Sequence, residues 1–459
     1  QKYDLVVIGS GPGGEKAAIQ AAKLGKEVLV VDEAESPGGN CIRSGTIPSK
    51  TLRESVRFIQ AMKTQSIFGI SVKLDSNLTV NRLMHRRNSA TISLVERLQS
   101  NFQRNNVEYL QGRATFDGPH QLSVRNGEQH SEQVEADSIV IATGSRPFQP
   151  EWINFSHPRV MDSDTILGLN QIPKTLTIIG AGVIGCEYAS IFAPLGVKVN
   201  LVNPRQILLD FLDLEISNAL AFLMRDAGIR IRLGEHLLAV ECDDDNVFAK
   251  MESGKIFRSD YLLFANGRTG NTDGMGLEEL GITLTSRGQI EVNENFQTGQ
   301  EHIYAVGDVI GFPSLAATAM GQGRLAAMHA CSGRQPGSEF SLLPTGIYTL
   351  PEISTVGATE EELTERKVPY EVGSATYKEL ARGQITGNTT GRLKLLFHRE
   401  NLKLLGVHII GESATELVHI GQTVMAYGGN VEFFIDHVFN FPTWSECYRV
   451  AALNGVNRL

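Results

Sequence analysis

At roughly 100–200 residues per domain, 459 residues make about three domains, and 42% hydrophobic against 20% charged side chains gives each of them a core. A formal net charge of −9 without a long basic run argues against nucleic acid and anionic membranes as main partners, although backbone donors bind anionic nucleotides on an acidic protein as well. The five cysteines (Cys41, Cys186, Cys242, Cys331 and Cys447) show neither CxxC nor CxxxxC spacing, so no metal site is expected and the sparse, odd count suits a reducing cytoplasm.

The chain opens on Gln1 rather than Met, so a few preceding residues are expected. It has no apolar run of signal type and no stretch of 18 apolar residues. Residues 3–8 read as a buried strand. Gly9, Gly11 and Gly14 follow in GxGxxG spacing, then a helical run from Glu15 that Gly25 ends, then a strand from Glu27 to Asp32. The same grammar returns at mid-chain. A strand over Thr175–Ile179 leads into Gly180, Gly182 and Gly185, then a helix from Cys186 and a strand from Val197. From about residue 342, strand-like runs at 392–397 and 404–410 alternate with a helical run at 416–426, which predicts an α+β domain.

The strand–glycine–helix–strand context makes each turn a dinucleotide-binding motif. The first glycine allows the tight turn, the second lets a pyrophosphate approach the backbone, and the third lets the helix pack on the strand. The helix N-terminus then presents free N–H donors to the diphosphate. Asp32, 18 residues after Gly14, is placed to accept the ribose hydroxyl protons of FAD or NAD. Asn203 stands at the same offset from Gly185, with Arg205 close behind. A neutral Asn does not repel a 2′-phosphate and Arg205 can reach one, so this second site reads as tolerant of both NAD(H) and NADP(H). The alternative is that Asn203 is a turn residue.

Several motifs in chain order resemble the flavoprotein disulfide reductases, the family of lipoamide dehydrogenase and glutathione reductase. They are the segment Gly38-Gly39-Asn40-Cys41 through Thr46 and Pro48-Ser49-Lys50, the run ending in Thr143-Gly144, the run Phe264-Ala265-Asn266-Gly267-Arg268, the run ending in Gly307-Asp308, and Phe441-Pro442-Thr443 through Glu446. The resemblance implies an α/β fold with two Rossmann-like domains, the second inserted into the first, and a C-terminal α+β dimerisation domain. The expected limits are 1–152 with 275–341 for FAD, 153–274 for NAD(P), and 342–459 for a homodimer or larger homo-oligomer. The expected FAD ligands are Gly9, Gly11, Gly14, Asp32, Thr143, Gly144 and Asp308. Those for NAD(P) are Gly180, Gly182, Gly185, Asn203, Arg205 and Gly267.

Two departures carry the expected function. Disulfide-reducing members have Cys-x4-Cys in the redox segment, whereas here the second position is Thr46. They also place a His before the Pro of the last motif, and here that position is Phe441, which has no proton to give. His437, four residues earlier, reads as an ordinary surface or interface residue. With both halves of the thiol machinery altered, the chemistry is expected to stop at the flavin. The expected reaction is reversible, Si-specific, ping-pong hydride transfer between NADPH and NAD+ through tightly bound, non-covalent FAD, without a redox-active disulfide. By resemblance, Lys50 pairs with Glu187 beside the flavin, and Cys41 contacts it as a soft side chain. The alternatives are a structural Lys50–Glu187 pair, a single-cysteine NAD(P)H oxidase, peroxidase or diaphorase cycling Cys41, and a non-catalytic nucleotide-sensing flavoprotein.

Overall fold

The computed structural model describes residues 1–64, 78–127, 130–335 and 340–459. The first sheet is built on the strand Lys2–Ile8, flanked by Val28–Asp32 and His130–Ile141 in parallel register, with Val7 opposite both Val30 and Val140. Leu5, Val6 and Val7 are wholly buried, as expected of a parallel strand covered on both faces. His130–Ile141 has two further partners along its length. Its first half pairs antiparallel with Gln121–Asn126, and its end pairs in parallel with Ile303–Ala305. The sheet is therefore completed by a strand from beyond residue 300, and the second unit is an insertion into the first.

The inserted unit has its own parallel sheet, in the order Arg230–Leu233, Lys198–Asn203, Thr175–Ile179, Tyr261–Phe264, Val160–Met161. The two passes between the units, Ser145–Pro147 and Arg268–Gly270, run side by side as an antiparallel pair. The C-terminal region forms a five-stranded antiparallel sheet with the helices Ala414–Ala426 and Glu446–Val456 packed on it around Tyr377, Phe397, Phe434 and Tyr448.

Both glycine turns take the expected form, but both helices start earlier than the hydrophobic pattern suggests, at Pro12 and Val183. Gly11 and Gly182 are extended N-caps, and Pro12 is preset for the first helical position, so helix formation begins inside the motif. Gly14 is needed for close approach, because a Cβ there would run into the Gly9 carbonyl oxygen. Gly185 stands in the same relation to Gly180. Helix Pro12–Lys23 lies against Ala316–Ser332, with Gly323 abutting the Gly13 backbone. Among the described residues no helix is long and apolar enough to cross a membrane.

Candidate active site

A cavity of about 1090 Å³ opens where the three regions meet. Of the expected residues, Gly9, Gly11, Asp32, Thr143, Gly144, Asp308, Cys41, Lys50 and Glu187 line it. Gly14 does not, because its place is the packing contact under the turn. Gly180, Gly182, Gly185, Asn203, Arg205 and Gly267 are not among its lining residues. The inserted unit reaches the cavity through the first turns of the helix that follows, at Val183, Ile184, Glu187 and Tyr188, and through Ser163 and Asp164.

Asp32 is held by backbone and hydroxyl donors. Its Oδ2 accepts from Ser10 N at 2.7 Å and from Ser10 Oγ at 2.6 Å, its Oδ1 accepts from Ala34 N at 2.9 Å, and Arg43 lies 3.5 Å away. Asp308 accepts from Ser145 Oγ at 3.1 Å, and Arg268 donates to that same hydroxyl at 2.7 Å. Thr143 Oγ1 is a buried hydroxyl without a protein partner on the cavity wall. A glycine cradle at a helix N-terminus, a fixed carboxylate at the end of the second strand and an unpartnered hydroxyl suit a dinucleotide with a long polar chain.

Lys50 Nζ donates to Glu187 Oε2 at 2.7 Å and lies 5.0 Å from the ring centre of Tyr348. Glu187 is buried, and its other oxygen accepts from Tyr348 N at 2.9 Å. Tyr348 lines the cavity from the C-terminal region. Sequence reasoning missed it, since Gly346-Ile347-Tyr348 carries no motif. Asp164, another cavity residue without a motif, has its carboxyl pushed up by burial, partly offset by Arg268. Burial likewise raises the Cys41 thiol, with the Thr46 hydroxyl and the charge of Lys50 acting against it. All five cysteines are free.

At the second turn, Asn203 Oδ1 accepts from Ala181 N at 3.3 Å, mirroring Asp32 and Ser10. Its amide also donates to Arg205 O at 3.3 Å and Ile207 O at 3.1 Å. Asn203 braces the loop that follows it. Arg205 is exposed and ion-paired with Asp210. Gly267 has φ 101° and borders the Arg287 guanidinium. Phe441 is 71% exposed, and Glu446 Oε2 is buried without a partner.

Two coupled Rossmann-like units with a cavity at their junction define a nucleotide-dependent flavoprotein architecture. The chain matches the family model for pyridine nucleotide-disulphide oxidoreductases over residues 3–323 and that family's dimerisation-domain model over 343–452, and it belongs to this family of oxidoreductases. It is 50% identical to a soluble pyridine nucleotide transhydrogenase of Marinomonas sp. (strain MWYL1), over 100% of this chain and 99% of that protein. It is 48% identical to one of Mycobacterium tuberculosis (strain ATCC 25177 / H37Ra), over 100% and 98%. Among solved structures, the HOCl-induced flavoprotein disulfide reductase RclA of Escherichia coli superposes with a TM-score of 0.87 at 26% identity, covering 98% of this chain and 99% of that one. Membership of the family implies FAD and NAD(P)H.

Proposed function

We propose that this chain catalyses reversible hydride transfer between NADPH and NAD+, Si-specific and ping-pong, without a redox-active disulfide. The observation that carries this reading is Thr46, whose hydroxyl cannot form a disulfide at the position where a partner for the free Cys41 would have to stand, beside an intact Lys50–Glu187 pair. The names of the half-identical relatives support it.

FAD, tightly but not covalently bound, would be held by Gly9, Gly11, Asp32, Thr143, Gly144 and Asp308, with Gly14 shaping the turn beneath it, and when bound it supplies the two-electron relay between the nicotinamides. Gly180, Gly182, Gly185, Arg205 and Gly267 form the seat that NADPH and NAD+ occupy in turn, with Asn203 shaping the loop. Lys50 keeps a fixed positive charge on the cavity wall, where it stabilises negative charge that develops during transfer. Glu187 and Tyr348 fix its position. Cys41 is a small, soft wall residue. Residues 1–152 with 275–341 are assigned to FAD, 153–274 to NAD(P), and 342–459 to a homodimer interface, and the free thiols suit the cytoplasm.

The test is anaerobic mixing of the holoenzyme with NADPH and thio-NAD+. Reduction of the analogue is expected. NADPH consumption only with oxygen or peroxide would mean the single-cysteine oxidase or peroxidase, and no turnover with any acceptor would mean a nucleotide sensor.

A further inference from the structure

Arg205 is expected to read the 2′-phosphate, yet its guanidinium is already engaged. It pairs with the carboxylate of Asp210, both on the loop that leaves the strand Lys198–Asn203, and the two side chains are 68% and 47% exposed. This loop is fastened to the second glycine turn. Ala181 N donates to Asn203 Oδ1 at 3.3 Å, and Ala181 O accepts from Leu209 N at 3.4 Å. The Asn203 amide holds the carbonyls of Arg205 and Ile207. Leu208, Leu209 and Leu212 are buried beneath it, and the Ser217 hydroxyl bonds the Leu208 carbonyl. With the backbone pinned on both sides, Arg205 and Asp210 stay within reach of one another beside the turn that would carry the diphosphate.

Resting on the reading that this loop seats the adenosine end of both nucleotides, we propose that Asp210 is a specificity-determining residue. It competes with the 2′-phosphate of NADP(H) for Arg205 and so levels the affinities of NADP(H) and NAD(H). NADP(H) must displace the carboxylate before the phosphate meets the guanidinium, whereas NAD(H) binds with the pair intact. An enzyme that uses one seat for both nucleotides needs neither to dominate it.

The probes are adenosine 2′,5′-bisphosphate and 5′-ADP, as inhibitors competing with NADPH on the holoenzyme. Asp210→Asn should tighten the bisphosphate about two- to fivefold, the worth of an exposed ion pair, and leave 5′-ADP unchanged. Arg205→Ala should weaken the bisphosphate alone, and adding Asp210→Asn to it should change nothing further. If Arg205→Ala weakens the bisphosphate while Asp210→Asn has no effect, the competition is wrong and the seat stands. A gain from Asp210→Asn that persists without Arg205 also overturns the competition, since the carboxylate then repels the phosphate directly. Equal weakening of both probes by Asp210→Asn makes Asp210 a loop brace and overturns the proposal. If Arg205→Ala spares the bisphosphate or weakens both probes alike, the 2′-phosphate seat itself is misplaced and both readings fall.

Discussion

Lys50 and Glu187 meet at 2.7 Å across the junction of the two glycine-turn units, one on the helix Thr46–Thr64 and the other on Val183–Phe192. The second oxygen of Glu187 takes the backbone N–H of Tyr348, so one carboxylate ties together three stretches far apart in sequence. A buried carboxylate held this way keeps its partner ammonium in one place, and a charge that needs no reorganisation is the kind that aids transfer.

Removing that charge should therefore slow hydride transfer more than binding. Lys50→Met is expected to lower the rate of anaerobic flavin bleaching by NADPH on the order of 100-fold, the loss typical for one preorganised donor. Glu187→Gln keeps the acceptor for Tyr348 N–H and loses the ion pair, so its loss should be smaller. Rapid-mixing absorbance checks both. A Lys50→Met rate within about threefold of wild type would reduce the pair to a structural brace.

Cys41 should be dispensable. Burial raises its thiol above the ordinary value near 9, so at any physiological pH less thiolate is present than in a free cysteine. Cys41→Ser is expected to retain transhydrogenation within about threefold, a change of under 1 kcal/mol in barrier. The wild type should reduce neither lipoamide nor glutathione disulfide. Loss of all hydride transfer in Cys41→Ser, with FAD retained, would restore a redox role to the thiol.

The parts of the molecule legible in the sequence are those set by local spacing. Gly9, Gly11 and Gly14 and their second copy declare strand, turn and helix within about thirty residues, and the structure has both. Helix starts were less legible, because Pro12 and Val183 carry no periodic signal of their own. The partners of the site residues were hidden altogether. Tyr348 comes from a different domain, Asp210 looks like any loop acid, and Asn203 sits at the ribose-binding offset while its amide closes a loop. Such relations depend on tertiary approach, which spacing along the chain does not encode.

Lys394 tests how the inserted unit is fastened to the C-terminal sheet. It is fully buried on the strand Gly391–His398, with Asp213 Oδ1 and Oδ2 at 2.8 and 3.0 Å, Glu215 at 3.1 Å, and Glu360 also bonded. Asp213, Glu215 and Glu360 have spacing a metal could use, and the Lys394 ammonium lies among them. Lys394→Met should destabilise by about 3–5 kcal/mol, because it strands the buried Asp213 carboxylate. Burial raises Asp213, but the Lys394 hydrogen bond, the charges of His408 and Lys394 and the Glu360 backbone N–H together outweigh it, and its folded value is depressed. Its contribution is thus present above the ordinary carboxylate value and lost as pH falls through the folded one. Thermal unfolding of both proteins should show a gap that is full at neutral pH and narrows below about pH 4. A gap unchanged down to acid pH would mean the carboxylate is not what Lys394 serves.

Asn203 gives the sharpest test of how the loop works. Read as a ribose ligand, it predicts that Asn203→Glu repels the 2′-phosphate, weakening NADPH use and sparing NADH use. The bonds around it give a second expectation. The side chain is only 7% exposed, its oxygen takes Ala181 N, and its amide hydrogens go to the carbonyls of Arg205 and Ile207. A carboxylate has no hydrogen to offer those carbonyls. Leaving such groups unpaired costs about 1–3 kcal/mol each, enough to shift the loop and Arg205 with it. Asn203→Asp, which keeps the acceptor for Ala181 N and loses only the amide donors, should therefore lower kcat/KM for NADPH and NADH together, by about 10-fold or more at 1.4 kcal/mol per decade. Arg205→Ala should lower NADPH alone. Steady-state kinetics with each donor and a common artificial acceptor separate the two patterns. If Asn203→Asp spares NADH fully, the residue touches the nucleotide after all, and its bonds to the loop are secondary.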